Sequence, residues 1–105
     1  MIVVNTDSIS GKEIYSTLGL VRGSATRSKS IVSDFFAALK NIIGGEVHEY
    51  TKLLAETREQ ALSRMIKDAE SLGADAVVTV RLTTSTISQG TSEILAYGTA
   101  VKLNS

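Results

Sequence analysis

The chain has 105 residues, with 11 Lys and Arg against 11 Asp and Glu, and it contains no Cys. This length predicts one domain over residues 1–105, with room for an ordinary core. A balanced charge argues against binding to nucleic acid or anionic membranes, and the lack of Cys excludes disulfides, thiol catalysis and thiolate metal sites. No apolar run approaches the ~20 residues that span a bilayer, and the first residues do not resemble a signal peptide, so we expect a cytoplasmic protein.

The first quarter of the chain alternates short apolar runs with polar residues and glycine. Residues 2–5 predict a short strand, residues 7–12 a turn, and residues 13–25 a longer strand rich in β-branched and aromatic side chains. Gly19 and Gly23 within the longer strand indicate a bulge, or a place where another backbone comes close.

A basic segment and an apolar helix come next. Residues 22–30 predict a loop that carries Arg22, Arg27 and Lys29, and this loop either binds an anion beside a helix N-terminus or is simply solvated. Residues 30–43 predict a first helix. Its apolar arc is wide, so we expect it to be buried on more than one side, in the monomer or in an assembly.

The longest predicted element is a second helix over residues 46–72. Gly44 and Gly45 separate it from the first helix, and Gly73 is placed to end it in a left-handed conformation. Arg58 falls in a gap of its apolar stripe and must extend to solvent or pair. The stripe consists of Val47, Tyr50, Leu54, Ala61, Met65, Ala69 and Leu72, widened by Leu53, Leu62 and Ile66.

The last two strands form a predicted hairpin, with strands at residues 76–87 and 92–103 and a four-residue connection. This loop length pairs Ile87 with Ser92 and Arg81 with Gly98. The face predicted to pack under the helices holds Val78, Val80, Leu82, Thr84 and Thr86 beside Val101, Thr99, Tyr97, Leu95 and Glu93. The other face holds Val77, Thr79, Arg81, Thr83, Ser85 and Ile87 beside Lys102, Ala100, Gly98, Ala96, Ile94 and Ser92, and a slip of one residue would mix the two sets.

Arg81 is the charge in the middle of this second, small-residue face. Opposite Gly98 and next to Ala96 and Ala100, it would have room for an anion or a subunit contact; the alternative is a solvated Arg on an open sheet. Tyr97 is expected in the core or at its edge with its hydroxyl at the rim, and Glu93 near the hairpin tip is expected to be solvated or paired. The candidate ligand or interface residues are Arg81, Gly98, Tyr97 and Glu93.

Several motifs together resemble the YbjQ-like family of bacterial and archaeal proteins, which carries a heavy-metal-binding label. The resemblance covers nearly the whole chain, including Gly19-Leu20-Val21-Arg22-Gly23 in its first part. In the second half it rests on Gly44-Gly45-Glu46, Tyr50-Thr51-Lys52-Leu53-Leu54, Arg58-Glu59-Gln60-Ala61, Met65, Leu72-Gly73-Ala74-Asp75-Ala76-Val77 and Glu93-Ile94-Leu95-Ala96-Tyr97-Gly98-Thr99-Ala100-Val101.

The resemblance implies an α+β fold in two layers, with an antiparallel sheet packed on two helices, one of them long, similar to a dodecin subunit. It also implies a ring-shaped homo-oligomer, typically a pentamer, in which strands extend between subunits. An oligomer agrees with the long second helix and with the doubly apolar first helix, which were inferred from the residues alone.

The ligands that the chain offers do not match the metal label. Soft heavy metals bind thiolates or clustered imidazoles, whereas the sequence has no Cys, one His and two Met. His48 has Gly44, Thr51 and Lys52 at the neighbouring helical positions, so no chelating pair forms within the helix. We expect no metal site and no cofactor in a single chain, and only symmetry could gather His48 side chains into a ring.

Two functions of different class fit the sequence. One is a non-enzymatic homo-oligomeric small-ligand-binding or scaffold protein, with its pocket between subunits near Arg81 and Gly98. The other is an enzyme that acts on a small anionic substrate at that interface. The sequence has no P-loop, dinucleotide fingerprint or nucleophile elbow, so no catalytic residue is assigned. Few aromatics and balanced charge predict no nucleic-acid partner.

Overall fold

A computed structural model describes residues 1–28, 46–88 and 91–104. It contains strand β1 (Ile2–Val3), strand β2 (Glu13–Ser28), helix α1 (Glu46–Ser71), strand β3 (Ala76–Ser88) and strand β4 (Thr91–Asn104). The predicted helix at residues 30–43 and the Gly44-Gly45 pair lie outside the described residues. The side chains of residues 28, 46–51 and 88 lie outside them as well.

The four strands form one mixed sheet in the order β1-β3-β4-β2. The three long strands pair antiparallel with one another, while the short β1 runs parallel to β3. The purely antiparallel sheet implied by the resemblance is therefore wrong at one edge. The α+β class is correct, and α1 packs on one face of the sheet.

Strand β2 is longer than the sequence predicted. Its pairing with β4 continues through Thr26, Arg27 and Ser28, which lie opposite Glu93, Ser92 and Thr91. The predicted loop at residues 22–30 is therefore wrong up to residue 28. The polar residues of this segment are typical of a loop, but its backbone forms strand hydrogen bonds with β4.

Helix α1 begins at Glu46, as predicted, and ends at a glycine cap. The Gly73 backbone adopts a positive φ of 75°, the left-handed conformation that glycine adopts with little strain. Its N–H donates to the Glu70 carbonyl at 3.0 Å, and the Ala74 N–H donates to the Ala69 carbonyl at 3.2 Å. These two bonds form a Schellman motif, which satisfies carbonyls that the helix end leaves free.

The predicted hairpin register is wrong from its first pair. Ser88 pairs with Thr91, and Ile87, which was predicted to face Ser92, is an extra residue on β3. Ser92 pairs with Thr86, and the partners of residues 81–86 are each displaced by one residue, so Arg81 lies opposite Tyr97 rather than Gly98. A bulge is the reason, because an extra residue in one strand shifts the register without changing the turn.

A second bulge lies further down β3, where Thr79 and Val80 together oppose Gly98. Thr79 has a φ of 55°, an uncommon conformation for a β-branched residue. Its N–H donates to the Thr6 carbonyl at 2.8 Å, and the Val80 N–H donates to the Val4 carbonyl at 3.1 Å. The segment that follows β1 thus holds the bulge in place from the edge of the sheet.

The helix packs on the small-residue face of β4, which contradicts the predicted face. Ile94, Ala96 and Ala100 belong to one buried cluster with the helix residues Ala61, Met65 and Ala69. Val101 belongs to a second cluster with Ala76 and Val78, against which the N-terminal residues pack. Because neighbouring residues of a strand point to opposite faces, the sheet has apolar contacts on both sides.

The backbones of α1 and β2 come very close together, which explains why the helix covers the face of the sheet that carries small residues. A Cβ atom at Gly23 would lie 2.3 Å from the Met65 backbone nitrogen and 2.5 Å from the Ala61 carbonyl oxygen. The helix backbone therefore rests directly on β2 at Gly23. Gly19 lies at a register shift in β2, with a φ of 131°. The prediction of a bulge or a close approach at these glycines is confirmed.

The two outer edges of the sheet differ. On β2, the Arg22 N–H donates to the Asp68 carboxylate at 3.1 Å, and the Arg64 guanidinium donates to the Ser24 carbonyl. Helix side chains thus satisfy the middle of that edge. On β3, backbone bonds from the N-terminal segment reach Val80, and among the described residues no strand pairs with the outer edge beyond that point.

Candidate functional site

Arg81 lies at the edge of the sheet, just after the Thr79 bulge. Its Nη1 donates to the Asn5 carbonyl and to the Val80 carbonyl, each at 3.2 Å. The side chain lines an open cleft of about 620 Å³, together with residues of the N-terminal segment, β3 and α1. Arg81 therefore ties the N-terminal segment to β3, and the two carbonyls occupy one of its nitrogens only.

The structure brings Tyr97 to Arg81 and separates Gly98 from it. Tyr97 is partly buried and has Arg81 opposite it on β3 and Arg22 opposite it on β2. Residues directly opposite each other lie about 5 Å apart at Cβ, within reach of a guanidinium and a ring. This row across three strands, Arg22-Tyr97-Arg81, was not predicted from the sequence, because the Arg81–Tyr97 pair depends on the Ile87 bulge and the pairing of β2 with β4 was not predicted.

Gly98 allows close packing and does not form part of a ligand site. A Cβ atom there would lie 2.8 Å from the Val77 Cγ1 atom and 3.2 Å from the Val80 Cγ2 atom. Gly98 is buried on the helix side of the sheet, so the expected space around a guanidinium is filled by valines. Glu93 is on the same face as Tyr97 but lies opposite Ser85 and Thr26, four residues further toward the hairpin tip.

A second cavity of about 300 Å³ lies between α1 and the sheet, near the hairpin. Arg27 and Arg58 both line it, as do the apolar side chains of Leu54, Leu82 and Ile94. Arg58 was predicted to extend to solvent or pair, and it is exposed. The buried residue in the gap of the helical stripe is its neighbour Thr57. Both arginines stood out in the sequence, but only the fold shows that they share a cavity.

The described side chains do not fit a heavy-metal ion within one chain. Among them, no group of three His, Asp or Glu residues could hold a metal ion. Met65 is fully buried in the core, and Met1 is exposed at the start of the chain. His48 lies on α1 at a position whose side chain is outside the described set, so a symmetric ring of His48 residues stays a prediction.

The chain is thus a small α+β protein with a mixed four-stranded sheet and a long helix, and it offers two arginine-lined clefts. The YbjQ-like family model, whose description reads "Putative heavy-metal-binding", matches residues 1–104. The chain belongs to this family.

Its relatives include proteins of bacteria and archaea. A UPF0145 protein of Photobacterium profundum is 56% identical over 103 residues, which cover 98% of this chain and 100% of that protein. A UPF0145 protein of Methanosarcina acetivorans is 53% identical over 103 residues, covering 98% of this chain and 97% of that protein. The recognition of the YbjQ-like family from sequence motifs is therefore confirmed.

A solved structure with the same fold comes from Pediococcus pentosaceus. It is a crystal structure of a DUF74-family protein of unknown function, with a TM-score of 0.66, and the match covers 99% of this chain and 98% of that chain. The two sequences are 13% identical, so the likeness concerns the fold alone. Within the described residues, no helix combines the length and the apolar character needed to cross a bilayer.

Proposed function

We propose that this protein is a non-enzymatic, homo-oligomeric small-ligand-binding or scaffold protein whose subunits associate in a ring, with five subunits as the expected number. One observation carries the proposal: residues 81–87 are all exposed, although they belong to strand β3. A strand edge with free N–H and C=O groups is a template for pairing with another chain. A cytoplasmic location stays part of the proposal, and cell fractionation tests it.

The exposed part of β3 also carries apolar surface. Leu82 is 45% exposed and Ile87 is 57% exposed, and on β2 Leu20 is 65% exposed. Single exposed apolar residues are ordinary, but their position along an unpaired edge and on the sheet surface favours an interface. The partner edge in a second copy is β2, where Arg64 and Asp68 occupy only the middle and leave both ends for pairing.

Such an interface is heterologous, because the β3 edge of one copy meets the β2 edge of the next. Heterologous contacts close into rings when the rotation between copies fits a whole number of subunits. Arg81 lies at the start of the exposed β3 edge, so a ligand in its cleft would lie near the junction between subunits. This placement supports Arg81 and Tyr97 as ligand or interface residues.

Light scattering coupled to size-exclusion chromatography tests the assembly. One chain has a mass of 11.2 kDa, so a pentamer has about 56 kDa. We expect Ile87→Lys to lower the mass by disrupting the β3 edge, whereas Leu72→Lys, at a similarly exposed residue beyond the helix end, keeps it. A wild-type mass near 11 kDa would rule out the assembly, and an unchanged mass for Ile87→Lys would place the contact elsewhere.

A binding role is preferred to an enzyme acting on a small anionic substrate. Arg81 donates to two backbone carbonyls, which gives it a structural duty in the folded chain. A thermal-shift screen of small anions, followed by analysis of each stabiliser for turnover, separates the two. A stabiliser that is recovered unchanged supports binding, and one that is converted supports the enzyme.

A further inference from the structure

We propose that the cavity between α1 and the hairpin binds a small organic oxyanion, a carboxylate or a phosphate monoester, that carries a short apolar group. This cavity is lined by Arg27 of β2 and Arg58 of α1. It is separate from the Arg81 cleft, although Leu82 lines both. The proposal names a ligand class for the binding part of the proposed function and does not depend on the assembly part.

The positive charge is the first reason. Two guanidinium groups line this cavity, and none of its described lining residues is acidic. Guanidinium groups bind carboxylates and phosphates through paired, charge-assisted hydrogen bonds. A cavity with two such groups and no acidic lining residue is therefore complementary to an anion.

A buried donor of Arg27 is the second and more specific reason. Its Nε atom is buried and has no hydrogen-bond partner among the described residues. Buried polar groups in folded proteins are almost always paired, because an unpaired donor loses its bonds to water without replacement. An oxyanion in the cavity would supply the missing acceptor to the N–H of Arg27.

The strand register explains why Arg27 faces this cavity. Arg27 pairs with Ser92, and Ala25 on the same face pairs with Ile94 of the helix-side cluster. Thr84 pairs with Ile94 from β3. These pairs bring Ser92 and Thr84 into the lining, and their hydroxyl groups can donate to further ligand oxygens. The Thr57 hydroxyl donates to the Leu53 carbonyl at 2.8 Å and is already engaged.

The apolar lining and the volume limit the rest of the ligand. Leu54, Leu82 and Ile94 line the cavity, and they favour a short aliphatic or aromatic group next to the anion. A volume of about 300 Å³ is at the small end of ligand pockets. Inorganic phosphate would satisfy the arginines but leave the apolar lining without contacts.

Isothermal titration of the full chain with benzoate, phenyl phosphate, inorganic phosphate and benzamide tests this inference. Benzamide is the matched neutral control for benzoate. We expect benzoate or phenyl phosphate to bind at least about tenfold more tightly than benzamide, since hydrogen bonds to charged groups contribute that much or more. The comparison of benzoate with phenyl phosphate tells which oxyanion is preferred. Tighter binding of phenyl phosphate than of inorganic phosphate measures how much the apolar lining contributes to affinity.

Three variants locate the binding. Arg27→Gln and Arg58→Gln are each expected to weaken binding of the preferred probe by about tenfold or more. Lys67→Gln, at an exposed cation of α1 that does not line this cavity, is expected to leave it unchanged. Circular dichroism confirms that each variant is folded, and Arg58 is exposed, so at least that variant should fold normally.

Either of two results would overturn the inference. Equal affinity for benzoate, phenyl phosphate and benzamide would show that the arginines do not select an anion. Equal weakening by Lys67→Gln and Arg58→Gln would show a diffuse charge effect instead of this cavity. The measured mass of the protein does not depend on either result. Failure to bind the anion would therefore not contradict the proposed assembly, and a monomeric mass would not contradict the proposed anion site.

Discussion

Replacing Gly23 by Ala should destabilise the fold strongly, because the helix backbone occupies the place of the new methyl group. The added Cβ would lie 2.3 Å from the Met65 nitrogen, 2.5 Å from the Ala61 oxygen and 2.7 Å from the Arg64 carbonyl carbon. The first distance is about 1 Å short of ordinary contact. All three atoms belong to the backbone, so no change of rotamer can relieve the overlap.

The expected loss of folding free energy follows from the packing that is lost when the helix moves away from the new methyl group. Extra methyl groups in packed cores cost about 1–3 kcal/mol when side chains can adjust, and more when they cannot. A gap of up to about 1 Å also removes a quarter to a half of the dispersion energy of each affected contact, and Val21, Ala25 and Met65 all pack in this region. We therefore expect a loss of about 3 kcal/mol or more.

Urea denaturation followed by circular dichroism at the helix band measures this loss at a fixed protomer concentration, since assembly would shift the midpoint. Gly11→Ala is the matched control, because a Cβ atom there meets nothing within 4 Å and Gly11 has a φ of 77°. It should cost only the left-handed strain, about 1–2 kcal/mol. If Gly23→Ala were no more destabilising than Gly11→Ala, the close contact of helix and strand would be wrong.

Three further changes test other parts of the fold by the same denaturation assay. Met65→Ala removes a fully buried side chain and should cost about 2–5 kcal/mol; a loss below about 1 kcal/mol would place Met65 outside the core. Thr79→Asn should stabilise by up to about 1 kcal/mol, since asparagine tolerates a φ of 55° better than threonine, and destabilisation would argue against this backbone conformation. Asp75→Ala removes the acceptor of the Leu103 N–H at 2.9 Å and should cost about 0.5–1.5 kcal/mol, since the bond is exposed to water, whereas an unchanged midpoint would show that the bond does not matter.

The elements that local sequence determines were the ones that could be predicted. The 46–72 helix and its Gly73 cap are confirmed because helical periodicity and a left-handed glycine are signals within one segment. The strand at residues 13–25 is confirmed for the same reason, although it extends to residue 28. The predictions at Gly19 and Gly23 succeeded because glycine weakens a strand interior, so its presence there usually marks a bulge or a close backbone contact.

Features that depend on pairing between segments were not predictable in the same way. The Ile87 bulge leaves no mark in the sequence, yet it moves Arg81 from Gly98 to Tyr97. The face of β4 that meets the helix was predicted from hydrophobicity, whereas it is chosen by close approach, which favours Gly98, Ala96 and Ala100 over larger residues. The Arg27 and Arg58 cavity is lined by residues of three strands and a helix, and no local pattern links them.

The contact of α1 with the sheet through small residues also limits which substitutions the protein can accept during evolution. At Gly23 and Gly98 even one added methyl group meets another group at 2.3 Å and 2.8 Å, and Ala61 and Ala69 of the helix are completely buried. A neutral substitution at any of these positions is restricted to residues of the same or smaller size, unless a second change makes room. Variation in this family should therefore accumulate on the uncovered side of β3 and around the clefts, where a new ligand preference can arise without disturbing the layer beneath.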